Sequence, residues 1–181
     1  SREILQHASN LEDAIEIARK REVFVSESIM VGSAKDHKAI LIEVSPKNFG
    51  VYEVENSDQL ICSNHFQSSA YQDDKRNQKT IKESHSKYRY ERMTQLISEA
   101  DKLTPQKAVE ILRNRRGLDG EKIGYGNEKA INQLLAHHGI VFNPEEKKVW
   151  LSANPYQMGA FISYDLENVF AEFEKGMLAE V

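Results

Sequence analysis

At 181 residues the chain has the length of one domain, at about 100–200 residues per domain, and can bury a sizeable core. Hydrophobic residues make up 40% and charged residues 29%, the balance of a soluble globular protein, and the aliphatic run Ala39-Ile40-Leu41-Ile42 is far short of the ~20 residues that span a bilayer. The net charge of −4 argues against a dedicated polyanion binder, and the single cysteine, Cys62, excludes an intrachain disulfide and a cysteine-cluster metal site.

No charged-then-apolar signal segment opens the chain. Ser1-Arg2-Glu3, with no Met before it, reads as the start of a processed or truncated piece. Leu11, Ala14, Ile15 and Ala18 fall on one helical stripe, and Asn10 is placed to cap a helix over roughly residues 11–20. The pattern then turns to β: Arg21–Ser26, Ser28–Ala34, Lys38–Ser45, Phe49–Glu55 and Gln59–Asn64 read as strands. The continuous apolar centre of Lys38–Ser45 predicts burial on both faces. Short polar connections at Pro46-Lys47-Asn48 and Asn56-Ser57-Asp58 predict antiparallel neighbours.

Residues 67–87 are polar and read as a long loop. Met93, Leu96, Ile97 and Ala100 mark a helix, and Thr104-Pro105 opens another that ends near Asn114. Four glycines within Gly117–Gly126 predict a tight irregular connection. Residues 128–136 are ambiguous between a short helix and an extended lead-in. Gly139–Phe142, Lys148–Asn154 and Ala160–Tyr164 read as strands, after which Asp165 caps a helix carrying Leu166, Val169, Phe170 and Phe173. Strands, then helices, then strands again predict an α+β fold with largely antiparallel sheet, as a single domain over residues 1–181.

The densest reactive cluster is Cys62-Ser63-Asn64-His65-Phe66, at the predicted end of an apolar strand. Cys62 and His65 invite a thiol-hydrolase reading, but three residues apart on a strand they face opposite ways, so Cys62 reads better as a small buried residue. Asn64 can donate to an oxyanion without adding a titrating charge. A turn-forming Asn is the commoner use of that residue at a strand end, and on residues alone both readings stand. Lys75–Arg92 holds seven basic residues against two acids, with Tyr88 and Tyr90 between them. That mixture could track a single strand of nucleic acid, but the acidic whole favours a solvated face, and no nucleic-acid partner is expected. The adjacent His137-His138 cannot chelate one metal from a strand, and no other paired spacing exists, so no metal site is expected. Gly124-Tyr125-Gly126 lacks the Gly-Lys-Ser/Thr ending of a phosphate loop.

The segments resemble a known family in their order. Val31–Ser45 leads to Ile61-Cys62-Ser63-Asn64-His65-Phe66, then to Ser86-Lys87-Tyr88-Arg89-Tyr90. His138-Gly139-Ile140-Val141-Phe142-Asn143-Pro144 and Val149-Trp150-Leu151-Ser152 follow. From about Glu22 to Leu166 this is similar to the C-terminal part of the penicillin acyltransferase-like, cysteine-type Ntn hydrolases, relatives of choloylglycine hydrolase and penicillin V acylase. The resemblance implies a four-layer αββα sandwich of antiparallel sheets, incomplete in this chain. It also implies cleavage of a linear C–N amide bond, or acyl transfer across it, by an N-terminal Cys exposed through self-cleavage. Its α-amino group, with a pKa near 7.7–8.0, serves as base.

Carried over by motif, Asn64 matches the oxyanion-hole Asn. Arg89 falls where choloylglycine-hydrolase relatives hold an active-site Arg, with Arg92 one turn on. Ser86 lies in the same segment and His65 beside the substrate. The resemblance implies no cofactor. The implied partners are a small acyl-amide substrate and the N-terminal portion of the same protein, which would hold the nucleophile. Ser1 is formally an N-terminal nucleophile, but a helix follows where a strand is required. Three readings compete: part of an Ntn amidase or acyltransferase, a noncatalytic module that keeps the fold, and a self-contained Cys62/His65 hydrolase.

Overall fold

The predicted buried strand is the centre of the first sheet. β1 (Glu27–Ser33), β2 (Lys38–Ser45) and β3 (Asn48–Tyr52) pair antiparallel in that order, with β2 in the middle. The register sets Glu43 opposite Ser28 on one side and Gly50 on the other. The computed structural model describes residues 2–153, 155 and 157–174. The chain divides into two compact units, Ser1–Tyr90 and Glu91–Val181.

Side chains alternate across a strand, so Ile40, Ile42 and Val44 share one face of β2 while Leu41 and Glu43 share the other. The first face buries against Ile4 of α1 (Arg2–His7) and Leu11, Ala14 and Ala18 of α2 (Leu11–Arg19). The predicted cap is present, with Asn10 Oδ1 accepting the Asp13 N–H at 2.8 Å. Asp36, in the β1–β2 turn, accepts the Leu11 N–H at 2.8 Å and so ties the helix start to the hairpin. The N–H from Leu11 and the hydroxyl of Ser33 hold the Asp36 carboxyl below its usual range, the Ser33 bond contributing most.

Four expectations are corrected. Gln59–Asn64 is not a strand: side chains take the Gln59 and Asn64 N–H groups and the Ile61 carbonyl, and Ile61 is buried nonetheless. Arg21–Ser26 is not a strand either: Phe24 is 92% exposed, and Arg21 reaches back to Glu3 instead. The predicted strand at Phe49–Glu55 ends at Tyr52. The long polar loop contains a helical turn at Ser69–Tyr71 and a full helix, α3 (Lys75–Glu83). Asp74 Oδ1 caps α3 by accepting the Asn77 N–H at 2.7 Å. This helix has no apolar stripe, and its one buried residue is the polar Asn77, so periodicity does not reveal it.

α4 (Ser86–Ser98) starts seven residues before the predicted apolar positions begin and crosses from the first unit into the second. In the second unit α5 (Pro105–Leu112) begins with Thr104 as cap and Pro105 in its first turn, as expected. The glycine-rich connection is irregular, with Gly120, Gly124 and Gly126 at positive φ. Residues 128–136 settle as neither helix nor strand.

β4 (Ile140–Asn143), β5 (Lys148–Ser152) and β6 (Phe161–Asp165) form a second antiparallel sheet. Asn154, the predicted end of the middle strand, lies outside the described residues. Asp165 Oδ1 accepts the Asn168 N–H at 3.1 Å at the start of α6 (Leu166–Glu174). Arg113, just past α5, donates to the carbonyls of Gln157 and Met158 and holds the β5–β6 connection. Helices beside two antiparallel sheets make the fold α+β, as the sequence predicts.

Candidate active site

The segment 64–68 carries the predicted site without regular structure of its own. Buried backbone groups still need partners, and here side chains supply them. The Asn64 N–H donates to Ser86 Oγ at 2.8 Å. The Phe66 N–H donates to Asn77 Oδ1 at 2.8 Å, and Asn77 Nδ2 returns a bond to the Phe66 carbonyl at 3.0 Å. The Gln67 and Ser68 N–H groups go to the two oxygens of Glu43, at 2.7 and 2.9 Å.

Ser86, the first residue of α4, is fully buried and sits at the centre of the cluster. Its hydroxyl donates to Ser63 Oγ at 3.1 Å and meets His65 Nδ1 at 2.8 Å. Ser63 Oγ donates in turn to the Ser86 carbonyl at 2.9 Å. A hydroxyl has one proton and two lone pairs. With its proton on Ser63 and one lone pair on the Asn64 N–H, the remaining lone pair takes His65 Nδ1–H. This bookkeeping assigns the Nδ1–H tautomer and leaves the ring lone pair on Nε2. Burial holds the His65 pKa below its ordinary value, opposed by the Glu43 charge and helped by a smaller push from Lys87. Tyr90 meets the imidazole edge to face, with centroids 5.7 Å apart.

Arg89 lies three residues beyond Ser86, which on a helix places the two on neighbouring positions of one face. Its Nη2 donates to Asn64 Oδ1 at 2.7 Å. That bond fixes which end of the exposed carboxamide is which: the oxygen faces Arg89, and Nδ2 becomes the donor end. The structure thus brings together Asn64, His65, Ser86 and Arg89, all four of the predicted site residues. Arg92, the alternative to Arg89, is buried and donates to Gln95 Oε1 at 2.6 Å.

Cys62 and His65 are not joined. The Cys62 thiol donates to the Ser63 carbonyl at 3.3 Å, while His65 Nδ1 is engaged by Ser86. Burial pushes the thiol pKa up, opposed by a hydrogen bond with Ser28. A raised pKa means less thiolate at neutral pH, the opposite of what a nucleophile needs. Ser1 lies outside the described residues. His137 and His138 fall in an irregular stretch, and no cluster of three His, Cys, Asp or Glu side chains able to hold a metal occurs among the described residues.

Sequence reasoning missed Glu43 and Asn77. Glu43 had a legible signal, a lone acid inside the apolar run Ile40-Leu41-Ile42-Glu43-Val44. Asn77 had none, since it sits in a helix with no apolar stripe.

A family model described as acyl-coenzyme A:6-aminopenicillanic acid acyl-transferase matches residues 1–155. No curated protein and no solved structure matches the chain.

Proposed function

Since the chain belongs to the acyl-coenzyme A:6-aminopenicillanic acid acyl-transferase family, we propose that it forms the C-terminal part of a larger cysteine-type Ntn domain that cleaves a linear amide bond or passes its acyl group to an acceptor. The observation that carries this reading is the Arg89–Asn64 hydrogen bond. It turns an amide that could point either way into a donor of fixed direction, which an oxyanion hole requires.

The reaction divides between residues within and outside this sequence. A cysteine thiolate outside it attacks the acyl carbon, its α-amino group having taken the thiol proton. The carbonyl π electrons move onto oxygen, and Asn64 Nδ2–H donates to that developing charge. As the carbonyl re-forms, the C–N bond breaks and the α-ammonium group returns its proton to the leaving amine. Water or a second amine, giving up a proton to the α-amino group, then adds to the thioester; the C–S bond breaks, the acyl product leaves, and the sulfur recovers the proton. Asn64 has the same task in both tetrahedral intermediates, and being uncharged it does not shift the base's pKa. Ser86 and Arg89 hold Asn64, and His65 borders the substrate as a neutral ring.

Cys62 is unsuited to the nucleophile's role, being half-buried and pushed away from the thiolate by that burial. The test is to stop the full-length protein during turnover of an acyl amide with acid and find the acylated residue by peptide mass spectrometry. An acyl group on an N-terminal cysteine is the expected result. Acyl transfer to Cys62, or activity lost in Cys62→Ala, would overturn the proposal.

A further inference from the structure

We propose that Glu43 is a positioning residue for the oxyanion-hole segment, acting through the backbone that carries Asn64 and His65. Its effect on turnover rests on the acyl-transfer reading above; the clamp itself does not.

A carboxylate in the central strand of a sheet needs a reason. Taking a charge out of water is costly unless hydrogen bonds compensate it, and an apolar residue of similar volume serves stability as well or better. Leu41, Ile42 and Val44 around it are apolar and buried, yet Glu43 is 0% exposed. Both its oxygens are used on consecutive N–H groups, Gln67 and Ser68. Such charge-assisted bonds are about twice as strong as neutral ones.

The sheet is also shaped to receive that segment. Gly50 is the register partner of Glu43 on β3. A Cβ at Gly50 would overlap Ser68 Oγ and stand 3.0 Å from Ala70 Cβ and 3.1 Å from Ser68 Cβ, so the bare glycine lets this segment pack closely on the sheet. With Asn77 holding Phe66 and Ser86 holding Asn64, three elements fix the backbone from Asn64 to Ser68: β2, α3 and α4. An irregular segment has no ladder of its own to resist displacement, and misplacing a catalytic group by about 1 Å can cost about 100-fold in rate. Glu43 supplies the rigidity at the segment's C-terminal end.

The test uses Glu43→Gln in the full-length protein. The carboxamide keeps one acceptor oxygen and sets an NH2 group against the second N–H. Hydrogen exchange at Gln67 and Ser68 should speed up about 10- to 100-fold, the value of one charge-assisted bond. The kcat should fall by about 10- to 100-fold with KM within about twofold, and Glu43→Gln should add little in an Asn64→Ala background. If Glu43→Gln fails to fold, Glu43→Asp is measured in the same way, its shorter arm reaching one N–H at most. Unchanged exchange at both amides overturns the clamp. A kcat within about twofold of the parent, or an equal loss with and without Asn64, overturns the positioning role. If Asn64→Ala itself leaves kcat intact, the acyl-transfer reading fails, and the exchange rates alone decide the clamp.

Discussion

Asn64→Ala removes one hydrogen-bond donor and leaves the rest of the site standing. The Asn64 N–H to Ser86 is backbone and survives, while the 2.7 Å bond from Arg89 is lost with the carboxamide. Charge on the acyl oxygen exists only in the transition state and the intermediates beside it. The loss should therefore fall on kcat, with KM changing by less than about threefold. One oxyanion donor is worth about 10²–10³ in kcat, or roughly 3–4 kcal/mol of barrier. Asn64→Asp should be at least as damaging, because it keeps the size and the Arg89 contact but presents an acceptor to developing negative charge.

Arg89 is expected to act through Asn64. Arg89→Ala should free the carboxamide to rotate and lower kcat by a smaller factor, and Arg89→Lys should not restore it, lacking the planar fork. The double variant should then be no slower than Asn64→Ala alone. The assay is steady-state kinetics of the full-length enzyme on an acyl amide, with circular dichroism to show that each variant folds. A folded Asn64→Ala that keeps kcat within about threefold would refute the donor assignment. Losses that multiply in the double variant would refute the coupling to Arg89.

Two further outcomes follow from the same cluster. Ser86→Ala leaves the Asn64 N–H and His65 Nδ1–H without their acceptor, while Ser63 keeps its bond to the residue-86 carbonyl, so chemical denaturation should show a loss of about 1–3 kcal/mol or more; a change below about 0.5 kcal/mol would show that the hydroxyl is energetically neutral. His65 binds a proton less readily folded than unfolded, so the unfolded chain holds more protons below about pH 6.5, and stability should decline as pH falls through that value toward the lower folded pKa. His65→Gln should flatten this part of the melting-temperature profile, and an unaltered slope would show that other groups cause it.

Where the fold rests on apolar periodicity, the chain announced it. Leu11, Ala14 and Ala18 mark the helix that covers the first sheet, Lys38–Ser45 reads as its buried strand, and Thr104-Pro105 states where a later helix starts. These are local signals, carried by residues within one or two turns of one another. The order of motifs reached further, since it alone indicates the family. It also named Asn64, Ser86 and Arg89, which meet across 22 and 25 positions of chain.

What the sequence misplaced lies where side chains replace the backbone ladder. Gln59–Asn64 has the composition of a strand, but among the described residues no strand pairs with it, and composition cannot report an absent neighbour. α3 carries a single apolar residue, Ile81, and no apolar stripe, so its cap at Asp74 and its anchor at Asn77 act through contacts that no period encodes. Glu43 looked like an interruption in an apolar strand. Its use depends on two N–H groups 24 and 25 residues away and on the space left by Gly50 across the sheet. Periodicity records which face of an element avoids water. Which buried donor meets which acceptor is decided only when distant segments are brought together, because hydrogen bonds depend on direction and distance at the atomic scale.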